Sequence, residues 1–206
     1  MENEYIFDKG THYSRGQKTQ PAYIALGLMV LGIVLQFING VSLWYSLVLY
    51  AAAIITCFVI RKSMVMTHMR VVFDSSCLYA MEGPDQYDIN KLFGVGFGDH
   101  SRYSGRFGWV GTPTEIKLYA YTHNGDSTSW DHIMSCLPNE PIDLQLKLGP
   151  SEYEYTAFRR DGERARTKHL KTVPWLYGLI SYKLFPYFGG NITAPHQMKL
   201  RMTHIQ

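Results

Sequence analysis

Hydrophobic and polar residues follow two different patterns along this chain, and the change comes close to residue 61. Residues 21–60 contain no Asp, Glu, Lys, Arg or His. A single helix of that length would extend about 60 Å, twice the thickness of the hydrocarbon core of a bilayer. The turn dipeptide Asn39-Gly40 divides the run. The pattern therefore predicts a two-helix transmembrane hairpin with spans at 21–38 and 41–60.

Charged residues that flank the predicted hairpin indicate its orientation. Basic residues precede the first span, Arg61 and Lys62 follow the second, and the connecting turn has no charge. Because cytoplasmic flanks are enriched in Lys and Arg, we expect a multi-pass protein of the inner (plasma) membrane with both termini in the cytoplasm. Small residues in both spans fit a hairpin seam or, alternatively, a homo-oligomer interface. A cleaved signal peptide over residues 15–40 is the competing interpretation.

After residue 62 the apolar residues recur with a period of two, which is typical of strands that bury one face. Residues 115–122 and 142–148 alternate cleanly. The dipeptides Asn124-Gly125 and Asp161-Gly162 are strong hairpin signals, although a helix around the second is an alternative. We expect roughly eight to ten strands, enough for a barrel or sandwich, and one short helix over 174–185, which opens with a proline.

Residues 69–97 carry a resemblance to a known family. The stretch M-R-V-V-F-D-S-S-C-L-Y-A-M-E-G-P-D-Q-Y-D-I-N-K-L-F-G-V-G-F divides into a strand at 69–73, a tight turn, a second strand at 77–81, a turn containing Gly83, and a third strand. This order resembles the opening of bacterial pleckstrin-homology-like domains, which often follow a two-helix membrane hairpin. The resemblance implies a domain of that fold, and a small closed barrel of another lineage is the alternative.

The predicted fold class is therefore a membrane-anchored α+β protein, in which the hairpin precedes a β-rich cytosolic domain. The expected divisions are a cytosolic N-terminal segment at 1–20, the hairpin at 21–60 and the β-rich domain at 61–206. Charged residues make up 18% of the 206 residues, against about 25% in an average soluble chain, and the uncharged run accounts for the shortfall. The net charge of only +3 argues against a nucleic-acid partner.

Residues with catalytic or ligand-binding potential are scattered. The glycine-rich stretch 94–98 lacks the spacing of a nucleotide-binding loop. Asp99-His100-Ser101 has the residue types of a triad, but neighbours in sequence do not converge as nucleophile and base. His132 and Cys136 are candidates for a metal corner or a Cys–His dyad, and a spacing of four suits a helix better than the predicted strand. We therefore assign no catalytic residue, no metal ligand and no cofactor.

Basic and aromatic residues cluster in the last quarter of the chain. Anionic lipid attracts Lys and Arg near the inner leaflet, so the cluster predicts a membrane or partner surface. In the alternative interpretation the short helix packs on the β-rich core and the charges are merely solvated. The predicted surface residues are Arg159, Arg160, Arg164, Arg166, Lys168, Lys171, Trp175, Tyr177 and Tyr182. A second predicted contact, at the tip of a glycine-rich loop, consists of Arg102, Tyr103 and Arg106.

These features favour a non-enzymatic inner-membrane protein whose β-rich domain binds a protein partner or lipid at the inner leaflet. An exclusion, immunity or scaffold role would fit that design. The lipid bilayer is the expected partner, together with a protein of unknown identity or a second copy of the chain. Two alternatives are a membrane-anchored β-barrel that senses a ligand and a membrane-attached enzyme that depends on a thiol or a metal.

Overall fold

The computed structural model describes residues 2–12, 14–15, 47–48, 50–52, 55, 66–178, 181–189 and 191–205. Most of the predicted hairpin lies outside these residues. The described residues between 47 and 55 are helical. Within the described residues, no helix is long and apolar enough to cross a membrane.

The described residues form twelve strands in two antiparallel sheets. The seven-stranded sheet has the order β10-β9-β8-β3-β12-β1-β2, and the five-stranded sheet has the order β11-β4-β5-β6-β7. The strands are β1 (Glu2–Phe7), β2 (Ser14–Arg15), β3 (Met66–Phe73), β4 (Asn90–Phe97), β5 (Tyr103–Gly111), β6 (Ile116–Asn124), β7 (Ser127–Cys136), β8 (Pro141–Leu148), β9 (Glu152–Arg159), β10 (Arg164–Leu170), β11 (Ser181–Leu184) and β12 (Met198–His204).

The strands predicted from alternation at 115–122 and 142–148 are confirmed as β6 and β8. The local sequence also explains the turns of two hairpins. Gly125 joins β6 to β7 with φ of 72°, and Gly162 joins β9 to β10 with φ of 97°. Glycine adopts such angles at little steric cost. The predicted hairpin at Asp161-Gly162 is therefore confirmed, and the helical alternative is wrong.

The core lies between the two sheets. Alternate residues of each strand point inward, so that Phe107 and Trp109 of β5 face Phe73 of β3 and Tyr155 of β9. The ring centroids of Phe73 and Trp109 are 5.3 Å apart, as are those of Phe107 and Tyr155. Each fully buried aromatic side chain contributes on the order of 2–3 kcal/mol of hydrophobic free energy. This packing fixes which face of each strand looks outward.

The glycines that the sequence placed in a glycine-rich loop lie instead within the strands β4 and β5. A Cβ atom on Gly105 would stand 2.5 Å from Cδ1 of Tyr153, inside van der Waals contact. On the other face of β5, the position of a Cβ on Gly108 is already filled by Ile89. The predicted loop is wrong because these glycines provide space for close packing between neighbouring elements.

A β-bulge in β7 changes which side chains face outward. Leu118 pairs with Met134, but the next residue of β6, Tyr119, pairs with His132, so that Ile133 is the extra residue. Because side chains alternate along a strand, one inserted residue reverses the facing of everything beyond it. Trp130 and His132 therefore face outward with Tyr121 and Tyr119 of the neighbouring strand.

The fold class predicted from the sequence is wrong. The described C-terminal residues form β12 between β3 and β1, where a pleckstrin-homology-like domain would have a closing helix. The second predicted strand of that resemblance, at 77–81, is instead a 3-10 helix at Ser75–Cys77 followed by extended chain outside the strand ladders. Strand β1 pairs along its whole length with β12, so the described N-terminal residues belong to the sandwich.

The short helix predicted over 174–185 is replaced by two elements. Helix α1 covers only Trp175–Gly178, and Ser181–Leu184 form the edge strand β11. Residues 179–180 lie outside the described part of the chain. The prediction is wrong because β11 pairs with β4, and that tertiary hydrogen bonding overrides a local helical preference.

Candidate functional site

The face of the five-stranded sheet that is turned away from the seven-stranded sheet, here called the outer face, carries an unusual set of side chains. The strand registers align them in three rows that run across the strands. The first row is Tyr182, Gly96, Ser104, His123 and Thr128, the second is Leu184, Gly94, Arg106, Tyr121 and Trp130, and the third is Lys91, Gly108, Tyr119 and His132.

Arg106 lies in the middle of the outer face and is buried. Its side chain is only 7% exposed, and its Nε atom has no hydrogen-bond partner among the residues that the structure describes. The closest polar contact is weak, since Nη2 donates to Oγ of Ser104 at 3.3 Å. Among the described residues no carboxylate forms an ion pair with this guanidinium. Burial lowers the pKa of Arg106 to about 10, so the group stays positively charged at neutral pH and its charge is poorly solvated.

Three further basic groups lie close to Arg106. Burial, and next the charge of Arg106, lower the pKa of Lys91 to about 8. Burial, the charge of Arg106 and the charge of Lys91 lower the pKa of His123 to about 4. Burial and Arg106 also lower the pKa of His100. At neutral pH the positive charge of this centre thus comes from Arg106 and Lys91, while Asp88 acts to raise the pKa of Lys91 and Asp99 those of His100 and His123. A bound anion would relieve the repulsion between Arg106 and Lys91.

Tyrosine side chains line this basic centre. Nζ of Lys91 lies 4.6 Å from the ring centroid of Tyr121, and it donates a hydrogen bond to the carbonyl oxygen of Ile89. The rings of Tyr121 and His123 are 5.1 Å apart. Burial is the largest cause that raises the pKa of Tyr121, so its hydroxyl remains protonated at neutral pH. The arrangement offers a cation, a neutral imidazole and a phenol within one small area.

The β4–β5 turn closes one end of the outer face. Nδ1 of His100 lies 2.9 Å from the hydroxyl of Tyr182, which also donates to the carbonyl oxygen of Gly98. Asp99 caps the turn by accepting hydrogen bonds from the backbone and hydroxyl of Ser101, which lower the pKa of its carboxyl group. Asp99 and Ser101 thus stabilise the turn, whereas His100, which lies between them in sequence, contacts Tyr182.

A separate hydrogen-bond network joins the two sheets in the interior. His169 of β10 lies with Nδ1 2.9 Å from Oγ1 of Thr122 and with Nε2 3.1 Å from Oδ2 of Asp131. The hydroxyl of Tyr155 lies 2.7 Å from that of Thr122 and donates to the carbonyl oxygen of Tyr121. Thr122 is only 1% exposed and His169 is buried, so this part of the network holds the two sheets together, whereas Asp131 at its end is exposed.

The predicted loop contact is divided by the structure. Arg102 lies in the β4–β5 turn and pairs with Asp126 at 2.9 Å, and Tyr103 at the start of β5 packs against Tyr177, with ring centroids 5.3 Å apart. Arg106 is not at a loop tip but is buried in the middle of β5. Arg106 interacts electrostatically with Tyr182 of β11, which belongs to the other predicted surface.

Most residues of the predicted basic surface form ion pairs or contacts within the β9–β10 region. Arg166 pairs with Glu154, and Lys168 pairs with Glu152 at 2.6 Å across the hairpin. Their charge is therefore largely balanced where they stand. The other members are placed as follows: Arg159 pairs with Glu140 and Glu163, Arg164 lies over the ring of Phe158, Lys171 donates to the carbonyl oxygen of Gly149, and Arg160 is exposed.

Two aromatic residues of that surface lie on helix α1. Trp175 is 78% exposed. Tyr177 packs against the β4–β5 turn, where a Cβ on Gly98 would collide with its ring. The structure thus places Tyr177 beside Tyr103 and leaves Trp175 outside the three rows of the outer face.

His132 and Cys136 do not form the proposed dyad. The bulge at Ile133 turns His132 to the outer face, whereas Cys136 pairs with Ile116 and points into the core. Burial raises the pKa of the Cys136 thiol to about 12, which leaves it unreactive at neutral pH. Among the described residues, no group of three or more His, Cys, Asp or Glu side chains is placed to hold a metal ion.

Sequence reasoning did not single out Lys91, Tyr121, His123 or Trp130. One signal was available for two of them, because Tyr121 and His123 share the outward face of a cleanly alternating strand. The sequence does not indicate that Lys91 belongs to the site, because its position depends on the pairing of β4 with β5. It does not indicate that Trp130 faces outward either, because that orientation depends on the bulge in β7.

No family model matches this sequence, and no curated protein matches it. Solved structures do resemble the fold. An alginate lyase from Klebsiella pneumoniae superposes with a TM-score of 0.50 at 9% identity, over 68% of this chain and 59% of the lyase. The chain thus spans less than two thirds of the lyase's length. A functionally unknown protein from Saccharomyces cerevisiae has a TM-score of 0.42 at 10% identity, over 67% of this chain and 65% of that protein.

These comparisons correct several expectations. The likeness to the lyase identifies a β-sandwich of the jelly-roll type, not a helical hairpin that carries a pleckstrin-homology-like domain. The expected multi-pass inner-membrane localisation depended on spanning helices, and the described part of the chain contains none. The expected non-enzymatic role at the inner leaflet, as a partner-binding or lipid-binding domain, is likewise contradicted, because it was built on the hairpin and on a fold that the described residues do not have, and a solved structure that shares the observed fold is an alginate lyase.

Proposed function

We propose that this protein is a carbohydrate-active β-sandwich that binds an acidic polysaccharide on its outer face. The observation that carries the proposal is Arg106, a buried guanidinium without a carboxylate partner among the described residues. A buried charge without a counter-ion is costly, and a ligand carboxylate would supply both the missing charge and the missing acceptor. Lys91 beside it adds a second positive charge for the same ligand.

Aromatic residues around the basic centre favour a saccharide over a small inorganic anion. Tyr121, Tyr182 and Trp130 provide apolar ring faces next to polar hydroxyl and imino groups. A sugar ring likewise has apolar faces and a polar edge, so both parts of a uronate residue find a matching surface. The fold supports the proposal to a lesser extent, since the similar solved structure is an alginate lyase.

The outer face also holds groups suited to eliminative cleavage. In that reaction a base removes the proton on the carbon next to the carboxylate, a carbon–carbon double bond forms, and the glycosidic carbon–oxygen bond breaks as the leaving oxygen gains a proton. We assign Arg106 to the carboxylate, the neutral imidazole of His123 to the base, and Lys91 to the acid. A carboxylate on Arg106 would cancel part of the repulsion on His123 and so raise the pKa of this base when substrate is bound.

The test uses the full chain with alginate, polygalacturonate and the uncharged polymer dextran. We expect both acidic polymers to bind by affinity electrophoresis and dextran to run unretarded. Cleavage is followed by the ultraviolet absorbance of the conjugated double bond, which hydrolysis does not create. Failure to bind any acidic polymer would overturn the proposal, and binding without a rise in absorbance would overturn the assignment of an eliminative reaction.

A variant separates the chemistry from the binding. His123→Gln removes the base and leaves Arg106 and Lys91 in place, so we expect retained binding and loss of the absorbance change. His132→Gln is the matched control, because His132 is an exposed histidine on the same face, 5.5 Å from Tyr119 by ring centroids and outside the basic centre. Equal activity in the two variants would contradict the role of His123.

A further inference from the structure

The bulge in β7 has a consequence for the length of the ligand. In a regular strand without the bulge, Ile133 would occupy a ladder position, and the alternation that buries Met134 would turn Trp130 toward the core. With it, Trp130 stands on the outer face and is 59% exposed. An exposed tryptophan on a sheet loses the hydrophobic free energy that burial would give, and bulges often re-aim side chains at binding sites.

Contacts with neighbouring residues fix the orientation of the Trp130 side chain. Its ring lies edge-on to Tyr119, with centroids 6.1 Å apart and planes at 75°. Its backbone pairs with Tyr121, the residue that also pairs with Arg106 on the other side. Arg106, Tyr121 and Trp130 thus form one row across three adjacent strands. Two strand spacings separate the ends of the row, roughly 10 Å, which is longer than a single pyranose ring.

We infer that Trp130 forms a second sugar subsite, on which a ring next to the uronate bound by Arg106 stacks. The inference rests on the proposed function, and it makes the ligand a chain that crosses the strands from β5 toward β7. The face of the indole offers the apolar surface, and Tyr121 bridges the two subsites. One uronate residue would use Arg106 alone, whereas an oligomer would use both ends of the row.

The experiment compares alginate-derived mono-, di- and tetrasaccharides by isothermal titration at low temperature, with His123→Gln as the background to prevent cleavage. In that background we expect affinity to rise with length. Adding Trp130→Ala should weaken tetrasaccharide binding roughly tenfold and leave the monosaccharide unchanged. Trp175→Ala is the matched control, since Trp175 is an exposed tryptophan outside the three rows, and it should change neither affinity.

The results of these titrations separate a failure of the proposed function from a failure of the Trp130 subsite. Absence of binding by every oligomer and by the acidic polymers would overturn the proposed function and this inference with it. Binding that is equally strong with and without Trp130 would overturn the inference alone. Equal weakening of mono- and tetrasaccharide binding would also overturn it, because Trp130 would then act on the Arg106 subsite. Thermal unfolding of each variant excludes a general loss of structure, and Trp130→Phe, which keeps an aromatic face, should restore most of the length dependence.

Discussion

Replacing Arg106 by methionine should make the protein more stable and unable to bind acidic polysaccharide. The side chain is almost fully buried, and its pKa falls from the ordinary value of 12.5 to about 10. One pKa unit corresponds to 1.36 kcal/mol, so the charged group is disfavoured in the folded state by about 3 kcal/mol. At neutral pH the group is charged in both the folded and the unfolded state, and the full penalty is therefore present. It disappears only as the pH rises above 10.

Methionine has a similar length and carries no charge, so Arg106→Met removes this penalty with little change in volume. Replacing an uncompensated buried charge by an apolar residue is commonly neutral or stabilising by about 1–3 kcal/mol. For a chain of this size that corresponds to a rise in melting temperature of about 3 °C for each kcal/mol. A ligand carboxylate that pairs with Arg106 would recover the same free energy in the native protein. Replacing Arg106 by methionine should therefore weaken ligand binding by about a hundredfold.

Two measurements on the same samples test the predicted gain in stability and the predicted loss of binding. Differential scanning calorimetry gives the melting temperature, and affinity electrophoresis in alginate gives the binding. Arg106→Lys is the control, because it keeps the charge and should retain part of the binding without the gain in stability. The reasoning is refuted if Arg106→Met lowers the melting temperature by several degrees, since the guanidinium would then be a satisfied structural group and not a site that awaits an anion.

Two further predictions concern pH and packing. The pKa of His123 is lowered to about 4, so its neutral form is the stable one in the fold: its contribution to stability is complete above pH 6.5 and is lost as the pH falls toward 4. His123→Gln should therefore flatten the fall in melting temperature between pH 6.5 and 4, and a pH profile identical to that of the unaltered protein would contradict the burial of His123. Gly105→Ala should lower stability by about 1–3 kcal/mol in urea unfolding, since the new methyl group meets Tyr153, whereas Gly178→Ala, with open space around it, should not. A neutral effect at Gly105 would mean that the two sheets are not packed as described.

Local pattern was sufficient where neighbouring strands are joined by a tight turn. The alternation in β6 and β8 and the dipeptides at 124–125 and 161–162 predict strands and hairpins that the structure confirms. These elements are short-range, and their hydrogen-bond partners lie a few residues away. The strand predicted at 77–81 and the fold class were wrong for the opposite reason, because a strand-and-turn order is shared by many β folds and does not specify which sheet each strand joins.

The basic centre could not be predicted because its members come from three separate strands. Lys91, Arg106 and His123 lie in β4, β5 and β6, and only the registers between those strands bring them together. Arg106 looked like part of a glycine-rich loop, since glycine is uncommon within strands. Tertiary contacts reversed that expectation, because a side chain at Gly105 would collide with Tyr153 of the opposing sheet and one at Gly94 would collide with the neighbouring strand β5.

The sequence by itself determined the two-residue period of β6 and β8, the tight turns at 124–125 and 161–162 and the uncharged character of residues 21–60, because these are properties of consecutive residues. Only the tertiary structure decided that β1 and β12, from opposite ends of the described chain, are neighbours in one sheet, and that Arg106 is buried with no counter-ion among the described residues. It also decided that a single extra residue turns Trp130 outward. Each of these depends on pairing between distant segments, and the free energy of that pairing comes from burying a shared core rather than from any local preference.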